Sequence, residues 1–210
     1  MEQLIGIKFI KKRKSSTLTS FRYILFYNFN FTCQGLESDP ATAKWVASGV
    51  WTFYMAKLSE LLDTVFFVLR KSNRQITSLH LHHHTLMPIT AWCGTTFYPG
   101  GQGILVGFFN AIVHIVMYTY YLITGFGDEY KKHLWWKKYV TILQLVQFLI
   151  IGIHHINSFF YACDYLVSLK ILTTFYSCFF TYTFGKFYYE NYIINPKITN
   201  RVGSSLKKHN

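Results

Sequence analysis

Five long apolar runs constrain the fold of this chain more than any other feature of its 210 residues. The runs are Trp45–Leu69, Leu79–Tyr98, Gly103–Thr124, Tyr139–Asn157 and Leu166–Tyr189. Each can cross a bilayer as a helix, since a hydrocarbon core of about 30 Å needs roughly 20 helical residues. Only 14% of the residues are charged, whereas soluble domains carry about 25%. The sequence therefore predicts an all-α, polytopic membrane helix bundle.

A sixth apolar stretch, Phe21–Cys33, is too short to cross a bilayer comfortably and contains two asparagines. We expect a stub, an interfacial segment or half of a broken span. The predicted organisation is a basic N-terminal tail over residues 1–20, a transmembrane domain over 21–190 and a basic tail over 191–210.

The distribution of basic residues predicts the orientation of the chain. Lys and Arg follow the first, third and fifth runs, whereas the loops at 99–102 and 158–165 contain neither. Because cytosolic loops of membrane proteins are enriched in Lys and Arg, this alternation places the C-terminus in the cytosol and Cys33 and Cys163 on the opposite side. The Lys and Arg residues of these cytosolic segments account for the net charge of +12. A nucleic-acid partner is therefore not needed to explain the charge and is not expected.

Polar residues recur within the runs at helical spacing. Lys57, Glu60 and Asp63 share one face, because residues three apart are neighbours on a helix surface. Ionisable groups at membrane depth are costly and usually face a bundle interior or a wet cavity. Stripes on the other runs comprise Asn110, His114, Met117, Tyr118 and Tyr121, then Thr141, Gln144, Gln147 and His154, then Lys170, Thr173, Ser177 and Thr181. The stripes predict a polar-lined pocket, although Thr141 or Ser177 taken alone is better explained by interhelical hydrogen bonding.

The second run opens with four histidines. His80, His83 and His84 have i, i+3, i+4 spacing and therefore face the same way, whereas His82 points elsewhere. Three imidazoles on one face suit metal ligation or acid–base and nucleophilic chemistry. The alternative is that they are solvated histidines at the cytosolic boundary.

The other histidines of the runs are more isolated. His114 could join the cluster across a helix interface, and we interpret His154 and His155 as boundary residues. A di-iron lipid desaturase or hydroxylase would also use an HxxHH box, but such enzymes need about eight histidines in three boxes. With a single box in the chain, no metal site is predicted.

Four sequence motifs carry a resemblance to a known family. Residues 57–71 read KLSELLDTVFFVLRK, residues 79–88 LHLHHHTLMP, residues 110–121 NAIVHIVMYTYY and residues 141–147 TILQLVQ. In order, they resemble the KxxELxDTxFFVLRK, LHxxHH, NxxVHxxMYxYY and TxxQxxQ signatures of the ELO family of very-long-chain fatty acid elongases. The resemblance implies a six-helix barrel around a reaction chamber, which we expect to be shortened here at the N-terminal side.

The family resemblance implies a reaction, substrates and a location. Its members condense a long-chain acyl-CoA with malonyl-CoA, releasing CO2 and CoA and leaving a 3-oxoacyl-CoA, and no cofactor is implied. Expected partners are the lipid bilayer and the other enzymes of the elongation cycle, and a homo-oligomer is an open alternative. Lys207 and Lys208 resemble the dilysine retrieval signal of endoplasmic-reticulum membrane proteins.

No cysteine is well placed to hold an acyl group, so an imidazole is the candidate nucleophile. We expect His83 or His114 to accept the acyl chain, and His80 and His84 to orient that nucleophile or polarise the malonyl carbonyl. The candidate substrate-binding residues have three roles. Lys57, Glu60 and Asp63 are expected to set the electrostatics and the register of their helix, and a developing oxyanion is expected to be stabilised by Asn110, Tyr118, Gln144 and Gln147. The CoA phosphates are expected to be attracted by Lys71, Arg74, Lys137 and Lys138.

Two further expectations concern oxidation and activity. Cys33 and Cys163 lie on the same side by charge, in the oxidising lumen if the membrane is the endoplasmic reticulum, and they are predicted to form a disulfide. The alternatives to a working condensing enzyme are an inactive elongase-like protein and a transporter lined by the same polar stripes.

Overall fold

The computed structural model shows an all-helical chain. It describes residues 18–24, 27, 29–69, 71, 76–126 (without the side chains of 124 and 125), 136–162 and 164–194. The main helices are α1 (Pro40–Leu69), α2 (Ser78–Phe97), α3 (Gly103–Gly125), α4 (Lys137–Asn157) and α5 (Val167–Tyr188). A 3-10 turn, Ser158–Phe160, extends α4, and a π-helical turn, Tyr189–Ile194, extends α5. No strand occurs within these ranges, so the all-α prediction is confirmed.

Each of the five helices coincides with one predicted apolar run. The largest difference is at α1, which begins at Pro40 rather than Trp45. Pro fits the first turn of a helix, where its missing N–H costs nothing. Asp39 caps that turn, because its Oδ2 accepts a hydrogen bond of 2.8 Å from the Thr42 N–H. The hydrogen bonds from Thr42 lower the pKa of Asp39.

The helices close into a ring in the order α1, α2, α5, α4, α3. The principal contacts join α1 to α2 and α3, α4 to α3 and α5, and α2 to α5. Successive helices are antiparallel, so α1, α3 and α5 end where α2 and α4 begin. We call this the basic end, since Lys71, Lys137, Lys138 and Lys186 lie there, and the other the cysteine end, after Cys33.

The bundle is apolar outside and polar inside. Large apolar side chains on its outer surface are at least 40% exposed, including Val65, Val68, Ile89, Trp92, Leu149, Ile150, Ile153, Ile171 and Phe175. Side chains buried inside include Lys57, Glu60, His83, Asn110, His114, Gln147 and Lys170. Such an arrangement fits a lipid environment. Among the described residues, two helical stretches are long and apolar enough to cross a membrane, Gly103–Ile123 and Lys137–Phe160.

The predicted stub contains a short helix near its start. Residues 18–24 are helical and residues 29–39 are not. Tyr23 is buried in an apolar cluster with Val46 of α1 and Ile104 of α3, so the short helix lies between these two at the cysteine end. A Cβ at Gly49 would come within 2.7 Å of the Thr19 side chain, and this contact shows how closely the short helix approaches α1.

A buried polar cluster lies at the cysteine end. Lys170 Nζ donates to the Ser158 carbonyl oxygen at 3.0 Å and lies 3.4 Å from Cys33 Sγ. His155 is fully buried, and its Nδ1–H donates to the Ile151 carbonyl oxygen at 3.0 Å. His155 lies in the last turn of α4, as the boundary interpretation expects, but it is fully buried. Neighbouring segments cover it, which its position in a run does not reveal.

Cys33 is disulfide-bonded. Its predicted partner, Cys163, lies outside the described residues, so the pairing stays a prediction. Non-reducing peptide mapping is expected to recover the Cys33 peptide linked to the Cys163 peptide. Cys93 and Cys178 are free and report the efficiency of thiol alkylation in the same sample. Recovery of Cys33 and Cys163 as alkylated thiols would contradict the prediction.

Candidate active site

The centre of α1 contributes a buried ion pair. Lys57 and Glu60 are 0% and 1% exposed, and Lys57 Nζ lies 3.3 and 3.2 Å from the two carboxylate oxygens. The Phe53 ring lies 5.2 Å from the same ammonium. One turn separates the two charged residues along the helix, so the predicted shared face is confirmed. It points into the bundle, where the ion pair is kept from lipid.

Glu60 also faces two imidazoles on other helices. Its Oε1 lies 3.4 Å from Nδ1 of His114 on α3, and its Oε2 lies 3.9 Å from Nδ1 of His84 on α2. Lys57 is the third basic group on this carboxylate. Glu60 is therefore the point at which α1, α2 and α3 meet.

Two further hydrogen bonds tie α1 to its neighbours nearer the basic end. The Tyr118 hydroxyl on α3 donates to Asp63 Oδ2 at 2.5 Å. The Thr64 hydroxyl lies 2.9 Å from His80 Nε2 on α2. Short hydrogen bonds to a carboxylate are stronger than those between neutral groups. These bonds hold the register of α1 against both neighbours.

The histidines form one cluster across α2 and α3. Ring centroids are 4.2 Å apart for His80 and His84, and 5.2 Å apart for His83 and His84. The His83 and His114 rings face each other across the helix interface, with centroids 5.9 Å apart and an interplanar angle of 21°. His82 points away, and its Nδ1–H donates to the Ser78 carbonyl oxygen. The predicted facing of these side chains is confirmed.

The amide side chains lie on neighbouring faces of the chamber. Asn110, on α3 one turn from His114, is 1% exposed, and its Oδ1 has no hydrogen-bond partner within the described part of the chain. Gln147 on α4 is 4% exposed. Gln144 is half-buried and donates a long hydrogen bond of 3.7 Å to Met117 Sδ. The three amides thus line the interior, and no direct bond joins them to the histidines within the described residues.

A comparison with protein-family models shows the family of this chain. The model of the ELO family, described as the GNS1/SUR4 family, matches residues 10–200. The chain belongs to this family. The predicted polytopic membrane bundle is thereby confirmed, and neither a di-iron enzyme nor a transporter is favoured.

Curated relatives agree with the family assignment. A very long chain fatty acid elongase of Aedes aegypti is 41% identical over 167 residues, which are 79% of this chain and 46% of the relative. Very long chain fatty acid elongase 7 of Rattus norvegicus is 41% identical over 187 residues, 86% of this chain and 66% of the relative. For elongase 1 of Homo sapiens the identity is 39%, over 78% of this chain and 60% of the relative. The chain thus spans about half to two thirds of these relatives.

The basic residues predicted to bind CoA phosphates lie at the basic end of the bundle and are separate from the histidine cluster. Lys71, Lys137 and Lys138 are exposed. Lys71 adopts a φ of 55°, which places it in the left-handed region just after α1. Arg74 lies outside the described residues, as do Lys207 and Lys208 of the predicted retrieval signal. The exposed lysines form a cationic rim beside the chamber of this ELO-family protein.

Some residues of the site were not predicted from the sequence. Phe180 on α5 is 1% exposed, and its ring centroid is 5.1 Å from that of His83. Phe53 packs on Lys57, and Thr64 holds His80. Phe180 and Phe53 belong to apolar runs that contain several Phe residues, and the sequence does not show which of these residues face the histidines or the ion pair. Thr64 was inside a recognised motif, but its partner depended on the packing of α1 against α2.

Replacing Tyr118 with Phe is expected to destabilise the bundle by about 1.5–3 kcal/mol, the range for a hydrogen bond to a charged group. The change leaves Asp63 without the short bond to α3. Thermal unfolding of the purified protein in detergent measures the loss. Tyr182→Phe is the matched control, because that side chain is 71% exposed. Equal melting temperatures for the two variants would contradict the structural role of Tyr118.

Proposed function

We propose that this chain condenses a long-chain acyl-CoA with malonyl-CoA to give a 3-oxoacyl-CoA two carbons longer, with release of CO2 and CoA. The observation that carries the proposal is the facing pair His83 and His114, whose rings lie 5.9 Å apart inside an ELO-family bundle. The elongase names of the relatives support fatty acid elongation as the context. The buried ion pair and amides supply the polar environment that such a reaction requires.

In the first step, an imidazole nitrogen of His83 or His114 attacks the thioester carbonyl carbon. The acyl–nitrogen bond forms, the carbon–sulfur bond breaks, and CoA leaves as a thiol with the proton lost by the imidazole. Two of the four cysteines are unsuited to this role. Cys33 is disulfide-bonded, and Cys178 is exposed on the outer surface.

In the second step, malonyl-CoA loses CO2, and the electron pair of the broken carbon–carbon bond stays on the carbon next to the thioester. This carbanion attacks the acyl carbonyl, the new carbon–carbon bond forms, and the acyl–nitrogen bond breaks. The imidazole then takes a proton from water. His80 and His84 are assigned to orienting the nucleophile or polarising the malonyl carbonyl.

Asn110 and Gln147 are the first candidates for stabilising the developing oxyanion. Both are buried, and Asn110 lies one helical turn from His114. Within the described residues, Gln144 is held by the weak acceptor Met117 Sδ alone, so substrate can recruit its amide. The Tyr118 hydroxyl is already donated to Asp63, which favours a positioning role for this residue.

The remaining substrate and location assignments rest on charge and family. Lys71, Lys137 and Lys138, with Arg74, are assigned to the CoA phosphates, because a cationic rim attracts anionic substrate to the chamber. The apolar side chains of the helix bundle are assigned to enclosing the acyl tail. The protein is assigned to the endoplasmic-reticulum membrane with a cytosolic C-terminus, where it works beside the other enzymes of the elongation cycle.

A condensation assay on membranes tests the proposal. Membranes containing the full chain receive a long-chain acyl-CoA and malonyl-CoA labelled at the methylene carbon. Labelled 3-oxoacyl-CoA is expected, together with unlabelled CO2. Membranes from the same cells without the chain are the control. Product at the level of this control, over a series of acyl chain lengths, would favour the inactive elongase-like alternative.

A further inference from the structure

Cys33 and Lys170 meet in the buried polar cluster at the cysteine end. Lys170 Nζ lies 3.4 Å from Cys33 Sγ, and Lys170 and Cys33 are 4% and 5% exposed. Cys33 is disulfide-bonded. We propose that this disulfide is redox-responsive: a dithiol reduces it in the folded protein, and Lys170 then holds Cys33 as a thiolate. The inference concerns the cysteine end and does not depend on the proposed condensation reaction.

The surroundings of Lys170 give its positive charge no anionic partner in the oxidised protein. Within the part of the chain that the structure describes, its ammonium contacts the Ser158 carbonyl oxygen at 3.0 Å, Cys33 Sγ at 3.4 Å and the Phe159 ring, whose centroid is 5.9 Å away. These groups are neutral while Cys33 is in a disulfide. Burying a cation without a counter-ion is costly. A thiolate at Cys33 provides the counter-ion, so reduction of the disulfide removes that cost.

The start of α5 acts in the same direction. The helix begins at Val167, and Cys33 belongs to one apolar cluster with Leu169 in its first turn. The N-terminus of a helix carries a partial positive charge, which stabilises a nearby anion. Thiolates are stabilised both at helix N-termini and beside lysine. Both effects therefore favour the reduced form of Cys33 over the disulfide.

The segment that carries Cys33 is also held by contacts that do not involve the disulfide. Gln102 is buried, and its Nε2 donates to the Thr32 carbonyl oxygen at 3.2 Å. A Cβ at Gly101 would come within 3.0 Å of the Gln34 carbonyl oxygen, so the segment packs closely on the loop before α3. We therefore expect the segment to stay in place after reduction, with the Cys33 thiolate still beside Lys170.

The exchange takes two steps and two electrons. Because Cys33 Sγ is buried, the first thiolate of the dithiol attacks the partner sulfur of the bond. A mixed disulfide forms, the protein disulfide breaks, and Cys33 leaves as a thiolate. The second thiolate of the dithiol attacks the mixed disulfide and releases the partner cysteine. Of the two protons lost by the dithiol, one goes to the partner cysteine and one to solvent, and the dithiol ends as a disulfide. A stabilised leaving thiolate also makes the first step faster.

A redox titration of the full chain in lipid nanodiscs tests the proposal. The protein is equilibrated with mixtures of reduced and oxidised dithiothreitol, quenched with acid and alkylated in denaturant. Mass spectrometry measures the alkylated fraction of the Cys33 peptide, and the free Cys178 reports the efficiency of alkylation. Circular dichroism of the same samples establishes that the chain is folded at the midpoint of reduction.

Lys170→Met is expected to need a ratio of reduced to oxidised dithiothreitol at least about tenfold higher for half-reduction, the scale of one lost hydrogen bond to a charged group. For a two-electron couple this ratio corresponds to about 30 mV. Lys170→Arg keeps the charge and should recover part of the difference. The matched control is Lys186→Met, which removes an exposed lysine from the other end of α5 and should leave the midpoint unchanged.

The direction of the shift separates this role from a merely structural one. If Lys170 only supports packing, Lys170→Met loosens the cysteine end and makes the disulfide easier to reduce, which would overturn the proposal. A midpoint equal to that of Lys186→Met would overturn it as well. So would a Cys33 disulfide that, in the unaltered chain, is reduced only after the protein has been unfolded.

Discussion

Replacing either His83 or His114 with Ala is expected to lower the rate of 3-oxoacyl-CoA formation by at least about 10³-fold, the scale for loss of a group that acts as a unit with the nucleophile. The two rings face each other inside the bundle, and both are buried. Whichever imidazole accepts the acyl group, the ring of the other lies 5.9 Å away on the opposing helix. The loss of either therefore removes covalent catalysis or its immediate support.

The His variants need a control that changes an imidazole without touching the chamber. His82→Ala serves this purpose, because His82 is exposed and its ring is turned back to the Ser78 carbonyl. It should keep activity within about twofold, as a surface substitution away from the site does. If His83→Ala and His114→Ala both retained full activity, the acyl-imidazole mechanism would be excluded.

Replacing Lys57 with Met is expected to destabilise the protein by about 3–5 kcal/mol, since removal of one partner leaves a buried charge uncompensated. Glu60 is 1% exposed, so little solvent is available to compensate its charge when the ammonium is removed. Denaturant titration of the purified protein in detergent measures the free energy of unfolding. Lys57→Met/Glu60→Gln should recover most of the loss, because no unpaired charge remains.

The control for Lys57→Met is Lys186→Met. Lys186 and Glu190 form an exposed pair at 3.9 Å, and exposed pairs contribute about 0–1 kcal/mol. A Lys57→Met variant as stable as Lys186→Met would show that Glu60 is neutral in the folded protein.

The helices and their inner faces could be predicted from the sequence because both depend on local rules. An apolar run of about 20 residues is helical wherever it lies in a membrane. Three-residue spacing placed Lys57 and Glu60 on one face, and three- and four-residue spacing gathered His80, His83 and His84. These are properties of a single helix, and the packed bundle preserves them.

The contacts between helices could not be predicted in the same way. Nothing in the spacing of α1 indicates that Glu60 meets Nδ1 of His114, or that Thr64 meets Nε2 of His80. Those contacts depend on the ring order of the helices, in which α1 lies between α2 and α3 and α2 lies beside α5. His155 shows the same dependence. Its position near the end of a run suggested a boundary, and its burial follows from packing at the cysteine end.

Free CoA released in the absence of malonyl-CoA measures the central claim most directly. Purified protein mixed with a long-chain acyl-CoA should liberate a rapid burst of about one CoA per active site, because the acyl group moves to an imidazole and stops there. Rapid acid quenching and mass spectrometry should then find the added acyl mass on the peptide containing His83 or on that containing His114. A protein that forms 3-oxoacyl-CoA but releases CoA only when malonyl-CoA is present, with both peptides unmodified, would contradict the account.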